Sequence, residues 1–262
     1  MAAALLAHTA LAAGPVDDGL QAVQRGDYAT ALALLGPEAS RGDANAESVL
    51  GLMYVNGQGV PHDPIQALYW LTKAANQGVA AAQNQVALIY CTGGPGVTQD
   101  LAQAAIWLRK AADQDDATAQ ENLAIMYDNG QGVAQDYAAA VYWFRRAAGH
   151  GDLTAELNLG LMYNAGQGVT KDSVAAVGWW SKAADRGYAD AQNNLGAAYL
   201  FGEGVPRDDV EAYKWFSLAA TSYSAPDDRA AAAKNRDVAA QRLSPAQLAT
   251  AMDLVRAWSP RN

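Results

Sequence analysis

The sequence has one cysteine, Cys91, which excludes an intramolecular disulfide and any cysteine-based metal cluster. Basic residues are scarce: 18 Lys and Arg stand against 27 Asp and Glu, for a net charge of −9, and nowhere do they form a run. Neutralising phosphates takes clustered Lys and Arg, so nucleic acid is not the expected partner. The three histidines, His8, His62 and His150, lie in unrelated contexts with no second His or Glu at ligand spacing, so no metal site is expected. No apolar run reaches the length of about 20 residues that a membrane span needs. No Ser is followed three residues later by Lys, and Gly-x-Ser-x-Gly does not occur, so the serine-acylase signatures are missing. Together these absences point to a protein that is not an enzyme and carries no cofactor.

What the chain does have is a period. Tyrosines fall at Tyr54, Tyr90, Tyr127, Tyr163 and Tyr199, in steps of 36, 37, 36 and 36. Tryptophans fall at Trp70, Trp107, Trp143, Trp179 and Trp215, in steps of 37, 36, 36 and 36. The extra residue lies in Gly93-Gly94-Pro95-Gly96. A fixed period in this range marks a solenoid, which grows by stacking and needs no single core.

Each period reads as two helices. The first, for example Ala46 to Asn56 or Ala155 to Ala165, has apolar residues at three- and four-residue steps. It stops at Gly57, Gly130, Gly166 and Gly202, since glycine accepts the left-handed conformation that closes a helix. A second glycine two residues on lets the chain turn back. The second helix starts at Asp63, Asp100, Asp136, Asp172 and Asp208, because an Asp carboxylate accepts the free N–H groups of a first helical turn. The spacings Asp63/Gln66, Asp100/Gln103 and Asp208/Glu211 suggest capping boxes. Gly51, Ala87, Ala124, Gly160 and Gly196 let the two helices approach closely, and the Tyr and Trp rows are expected to fill the remaining gaps.

The expected organisation follows. Residues 1–18 are read as a truncated signal peptide and linker, because the apolar run Ala2 to Ala13 carries a small-x-small pattern at Ala10-Leu11-Ala12. Residues 19–42 are read as an N-terminal capping half repeat, 43–223 as the repeat solenoid, and 224–262 as a C-terminal capping hairpin opened by the capping box of Ser244 and Gln247. The expected location is periplasmic or secreted if the signal works, and cytoplasmic otherwise.

The pattern Leu-Gly-x-x-Tyr-x-x-Gly-x-Gly-Val-x-x-Asp-x-x-x-Ala-x-x-Trp-x-x-x-Ala-Ala resembles the Sel-one-like repeats, relatives of the tetratricopeptide repeat. It covers roughly Asp43 to Ala220; the second repeat departs from it, with Val86-Ala87 for Leu-Gly. The resemblance implies an all-α fold: a right-handed α/α superhelix of about five helix-turn-helix repeats that acts as a protein-binding adaptor in bacterial envelopes or signalling. In such solenoids the first helices line a concave groove.

On that alignment the residue before the Leu-Gly pair is Val49, Gln85, Asn122, Asn158 and Asn194. Four successive amides can each donate to and accept from a peptide backbone. They resemble the asparagine ladder of tetratricopeptide superhelices; the competing reading is that each amide bonds a neighbouring helix. Asn84, Glu121, Asp128, Thr154, Asn164, Asp190 and Asn193 are placed beside the row. None is Lys or Arg, so the expected partner is a protein with a neutral or basic extended segment. Trp180, next to Trp179, is expected to be exposed as a lateral contact. Two alternatives stand: a structural or oligomerising scaffold that uses its outer face, and a lactam hydrolase like the cysteine-rich relatives, whose paired cysteines this chain lacks. The oligomeric state is left open.

Overall fold

The computed structural model describes residues 14–260. The apolar run read as a signal lies outside the described residues. Among the described residues there are fourteen α-helices and no strand, only a single antiparallel bridge between Gly94 and Val97. A hairpin of α1 (Pro15–Gln24) and α2 (Tyr28–Arg41) opens the chain. Five hairpins follow: α3 (Ala44–Asn56) with α4 (Pro64–Asn76), α5 (Ala80–Thr92) with α6 (Leu101–Asp113), α7 (Ala117–Asn129) with α8 (Tyr137–Gly149), α9 (Leu153–Ala165) with α10 (Ser173–Asp185), and α11 (Ala189–Phe201) with α12 (Asp209–Ser222). A last pair, α13 (Pro226–Ala240) and α14 (Pro245–Ala257), closes it. No helix among the described residues is long and apolar enough to cross a membrane.

The chain divides into two compact units, one ending at Ala119 and the other starting at Gln120. In the first, Ala31, Leu35 and Ala39 of α2 pack with Leu50 and Met53 of α3. The region expected to be half a repeat is a whole hairpin, because α1 supplies a short first helix. Gly19 sits against Leu35 as Gly51 sits against Leu71, and the link between the helices is only Arg25-Gly26-Asp27. In the second unit, Trp180 of α10, Leu195 of α11 and Trp215 of α12 share one core, which Val255 and Trp258 of the closing segment flank. Beside it, Ala239 of α13 joins Leu200 and Phe216.

The sequence explains the helix ends. Asp63, Asp100, Asp136, Asp172 and Asp208 each accept backbone N–H bonds at the start of a second helix. The reciprocal bond of a capping box forms at Ser244, whose N–H donates to Gln247. At Asp208 the expected box does not form, because the Glu211 carboxylate accepts from Lys214 and the Trp215 indole instead. Four of the five second helices close on a left-handed residue: Gly78, Gly151 and Gly187, and Asp115 at φ 69°; α12 ends instead on the extended Tyr223. The second glycine of each turn has a packing role beyond local turning. A methyl group on Gly168 would overlap the Tyr137 carbonyl of α8, so this turn rests directly on the start of the preceding second helix.

Candidate functional site

In the second unit the helices α7, α9 and α11 have bounds that repeat every 36 residues. Asn122, Asn158 and Asn194 are therefore each the sixth residue of a first helix. Side chains link the starts of these helices: Glu121 of α7 bonds Thr154 and lies beside the Asp152 carboxylate that begins α9, and the Thr154 hydroxyl lies 3.4 Å from the Tyr188 hydroxyl, which precedes α11. The three asparagines are half-buried, and among the described residues their side chains make no hydrogen bond. The competing reading, an amide spent on a neighbouring helix, does not describe them. Gln85 on α5 of the first unit is half-buried in the same way.

One turn further on runs a second row, which sequence reasoning missed. Leu52 and Leu88 in the first unit, and Ile125, Leu161 and Ala197 in the second, each follow the amide position by three residues. Residues three apart share a helix face. Leu161 is 43% exposed, and Phe201, one further turn beyond Ala197, is 66% exposed. The missed signal is an aliphatic position that recurs in steps of 36, 37, 36 and 36, exposed at Leu88 and Leu161 and packed against the core at Ala197. It was hidden because the first helices are apolar around most of their circumference.

The neighbouring candidates divide. Glu121 and Asp128 are half-buried, and burial pushes both carboxyls above their usual range, with the Asp152 charge raising Glu121 further. Thr154, Asp190 and Asn164 also lie on the first helices, where Asp190 accepts the Tyr223 hydroxyl at 2.8 Å and Asn164 accepts that of Ser173 at 3.0 Å. Two assignments are corrected. Asn84 is only 6% exposed, with its carbonyl oxygen sealed in the first unit, so it does not face outward. Asn193 is only half-buried, but it accepts from Asn235 of α13 at 3.2 Å, so the closing hairpin occupies it.

Trp180 is the third correction, at 5% exposure. A core residue lies one position after each repeating tryptophan: Leu71, Leu108, Phe144, Trp180 and Phe216 are all buried, and Trp107, Trp143 and Trp215 of the tryptophan row are buried with them. The pyrrole side of the Trp180 indole packs against Gly160, where an added methyl group would overlap it. Trp179 is the half-buried one, with the Lys182 ammonium 4.0 Å from its ring centroid. Lys73, Lys110 and Arg146 stand over Trp70, Trp107 and Trp143 in the same way, so the second helices carry a basic row that sequence reasoning also overlooked.

A further row is Glu47, Gln83, Gln120, Glu156 and Gln192, all buried. Glu47 holds Lys73 at 2.7 Å and accepts from Gln77 at 2.7 Å; Gln192 donates to the Ala184 carbonyl at 3.2 Å. Buried polar groups are costly unless bonded, and these bonds tie each first helix to its neighbours. They are structural. Cys91 is half-buried, and burial pushes its thiol pKa up, which disfavours the nucleophilic thiolate.

The family model for the Sel1 repeat matches residues 44–79, 80–116, 117–152, 153–188 and 189–223. The chain belongs to the Sel1 repeat family. Two solved structures are similar to it. One is c5321, described as a protective antigen present in uropathogenic Escherichia coli strains and displaying an SLR fold, with 36% identity over 87% of this chain and a TM-score of 0.75. This chain covers 48% of that protein, about half its length. The other is a Sel1 repeat protein from Oxalobacter formigenes, 33% identical over 79% of this chain and 85% of its own, with a TM-score of 0.76. No curated protein of assigned function matches. The fold class is thus an all-α solenoid of Sel1 repeats, and proteins of this family are in general non-catalytic scaffolds for protein–protein interaction.

Proposed function

We propose that this Sel1 repeat protein captures an extended segment of a partner protein across its first helices, with Asn122, Asn158 and Asn194 bonding the segment's backbone. The observation that carries this is the row of half-buried amides with no hydrogen bond of their own among the described residues. A half-desolvated amide gains most from a partner that both donates and accepts, which a peptide backbone does at every residue. Gln85 extends the same chemistry in the first unit. The raised carboxyls of Glu121 and Asp128 disfavour an acidic segment, because a second negative charge would add to the cost of their ionised forms. On this reading the protein works in a bacterial envelope or signalling assembly.

The test is a peptide array probed with wild type and with the triple variant Asn122→Ala/Asn158→Ala/Asn194→Ala. The variant is expected to melt as wild type does and to lose the neutral and basic spots. Retained binding by a folded variant, or a preference for acidic peptides, overturns the reading.

A second reading has its own observation. The second helices leave large apolar residues in solvent: Tyr69 and Ile106 in the first unit, Tyr142 and Val174 in the second. Exposed apolar residues in numbers mark interaction surfaces, so here the outer face would hold a partner or a second copy. Tyr142→Ser with Val174→Ser separates the two: it abolishes association on this reading and leaves it unchanged on the first.

A further inference from the structure

The turn of the second repeat, in the first unit, is built differently from the others. Where the turn is regular, its second glycine rests on the start of the preceding second helix. A methyl group on Gly168 or Gly204 would overlap the carbonyl of Tyr137 or Ser173, and one on Gly59 would overlap Tyr28. The matching glycine of the second repeat, Gly96, meets the side chain of Ile65 instead. The extra residue in Gly93-Gly94-Pro95-Gly96 carries this loop clear of the start of α4. Beside it lies a cavity of about 200 Å³, lined by Val55, His62, Pro64, Ile89, Thr92 and Pro95 among others.

Pro64 is the first residue of α4, and the same position holds Tyr28 in α2, Leu101 in α6, Tyr137 in α8, Ser173 in α10 and Asp209 in α12. Both tyrosines bring a phenol to a turn side chain. The Tyr28 hydroxyl accepts from Gln58 at 2.9 Å, and the Tyr137 hydroxyl accepts from Gln135 at 3.0 Å. Gln135 precedes Tyr137 by two residues, as His62 precedes Pro64. The two turn residues are anchored alike: the Gln135 amide donates to the Asp128 carbonyl at 2.7 Å, and His62 Nδ1 lies 2.7 Å from the Val55 carbonyl. A carbonyl only accepts, so Nδ1 carries the proton and Nε2 of the neutral ring is an acceptor. Among the described residues Nε2 has no partner.

We infer that the second repeat's turn is a socket for a tyrosine side chain of a partner protein, whose phenol makes the contact with the turn that Tyr28 and Tyr137 make in their own hairpins. The size agrees: an apolar cavity of about 150 Å³ takes up benzene, so this one holds a phenol ring. A buried tyrosine hydroxyl needs a hydrogen-bond partner, and the bare His62 Nε2 supplies it. On the other side of the loop a second hollow, of about 330 Å³, is lined by Ile65, Leu68, Tyr90 and Val97. Ile65 is 52% exposed there. A free phenol would use only the first hollow. A polypeptide uses both, with the tyrosine in one and an apolar neighbour along the chain in the other. This site uses neither Gln85 nor the asparagines, so it stands or falls apart from capture on the first helices.

The experiment titrates the full chain, labelled with nitrogen-15, and follows the His62 Nε2 resonance. One probe is a short acetylated peptide with tyrosine and leucine among serines and glycines. A second has phenylalanine for the tyrosine, and a third is N-acetyl-tyrosinamide. The first is expected to bind about fivefold more tightly than the second, the usual worth of one hydrogen bond, and more tightly than the third. Pro64→Tyr restores the residue of the other hairpins and is expected to fill the cavity from within, keeping the melting temperature and abolishing binding. His62→Ala alters an exposed ring and is expected to keep the melt and to erase the advantage of tyrosine over phenylalanine. The triple asparagine variant is expected to bind the first peptide as wild type does. Equal binding of the tyrosine and phenylalanine peptides, no binding of either, or undiminished binding by Pro64→Tyr overturns the inference. N-acetyl-tyrosinamide binding as tightly as the peptide also overturns it, since nothing beyond the ring would then be recognised. Loss of the first peptide in the asparagine variant moves the site to the first helices and overturns it too. If Pro64→Tyr does not fold, His62→Ala decides: a tyrosine advantage that survives it sinks the socket.

Discussion

Trp180 is acceptable in the core only because residue 160 is glycine. A methyl group there would collide with the indole ring, which is rigid and buried in one cluster with Val177, Leu195 and Trp215. Gly160→Ala is expected to cost about 1–3 kcal/mol, the usual range for overpacking, measured by urea denaturation. Adding Trp180→Leu recreates the Ala87/Leu108 pair of the second repeat and is expected to recover most of that loss. Additive costs in the double variant would disprove direct packing. Glu121 allows a prediction of opposite sign. Its folded pKa is raised, by burial first and by the Asp152 charge second, so ionisation is harder in the folded state than in the unfolded one. Stability from the protonated form is present below the ordinary Glu value of about 4.3 and is lost as pH rises through the folded value. Glu121→Gln removes that loss. The variant is expected to melt above wild type at pH 7, with the difference shrinking toward zero on acidification. A difference that grows on acidification would contradict the sign.

At the level of the element, the helix boundaries were written in local residues. An aspartate before each second helix and a glycine after each first helix act within a few residues of themselves, so their roles survive without knowledge of neighbours. Asp172 accepts the Ala175 N–H at 3.0 Å in a local geometry. Asp172→Ala is expected to cost about 1 kcal/mol, and Asp172→Asn much less, as read from thermal melts. The face that each helix buries was less legible. The second helices are visibly two-sided, yet two adjacent residues such as Trp179 and Trp180 differ by only about 100° around the axis. Which of them enters the core depends on the rotation of the whole helix, which its partner helices set. The first helices gave less still. They pack between two second helices, as α9 does between α8 and α10, so the apolar pattern alone could not separate Leu159 in the core from Leu161 outside it.

For the whole molecule, stability in a repeat array is a sum over units and the contacts between neighbours. The closing hairpin is therefore expected to matter in proportion to what it covers. Ala239 packs over Leu200 and Phe216, and Asn235 bonds Asn193. Ending the chain at residue 223 is expected to lower the melting temperature and to increase binding of a hydrophobic dye. An unchanged melt and no dye uptake would show that the hairpin is an independent appendage. The sequence by itself determined the repeat, its length, the two helices of each unit, their caps, and the family. These follow from spacing and from short-range backbone chemistry, which a linear string records in full. Only the tertiary structure decided that Trp180 is core, that Asn84 is sealed and Asn193 taken, and that an aliphatic row lies beside the asparagines. Those outcomes depend on which surfaces meet when helices distant in sequence pack together, and burial is a property of the pair rather than of either residue.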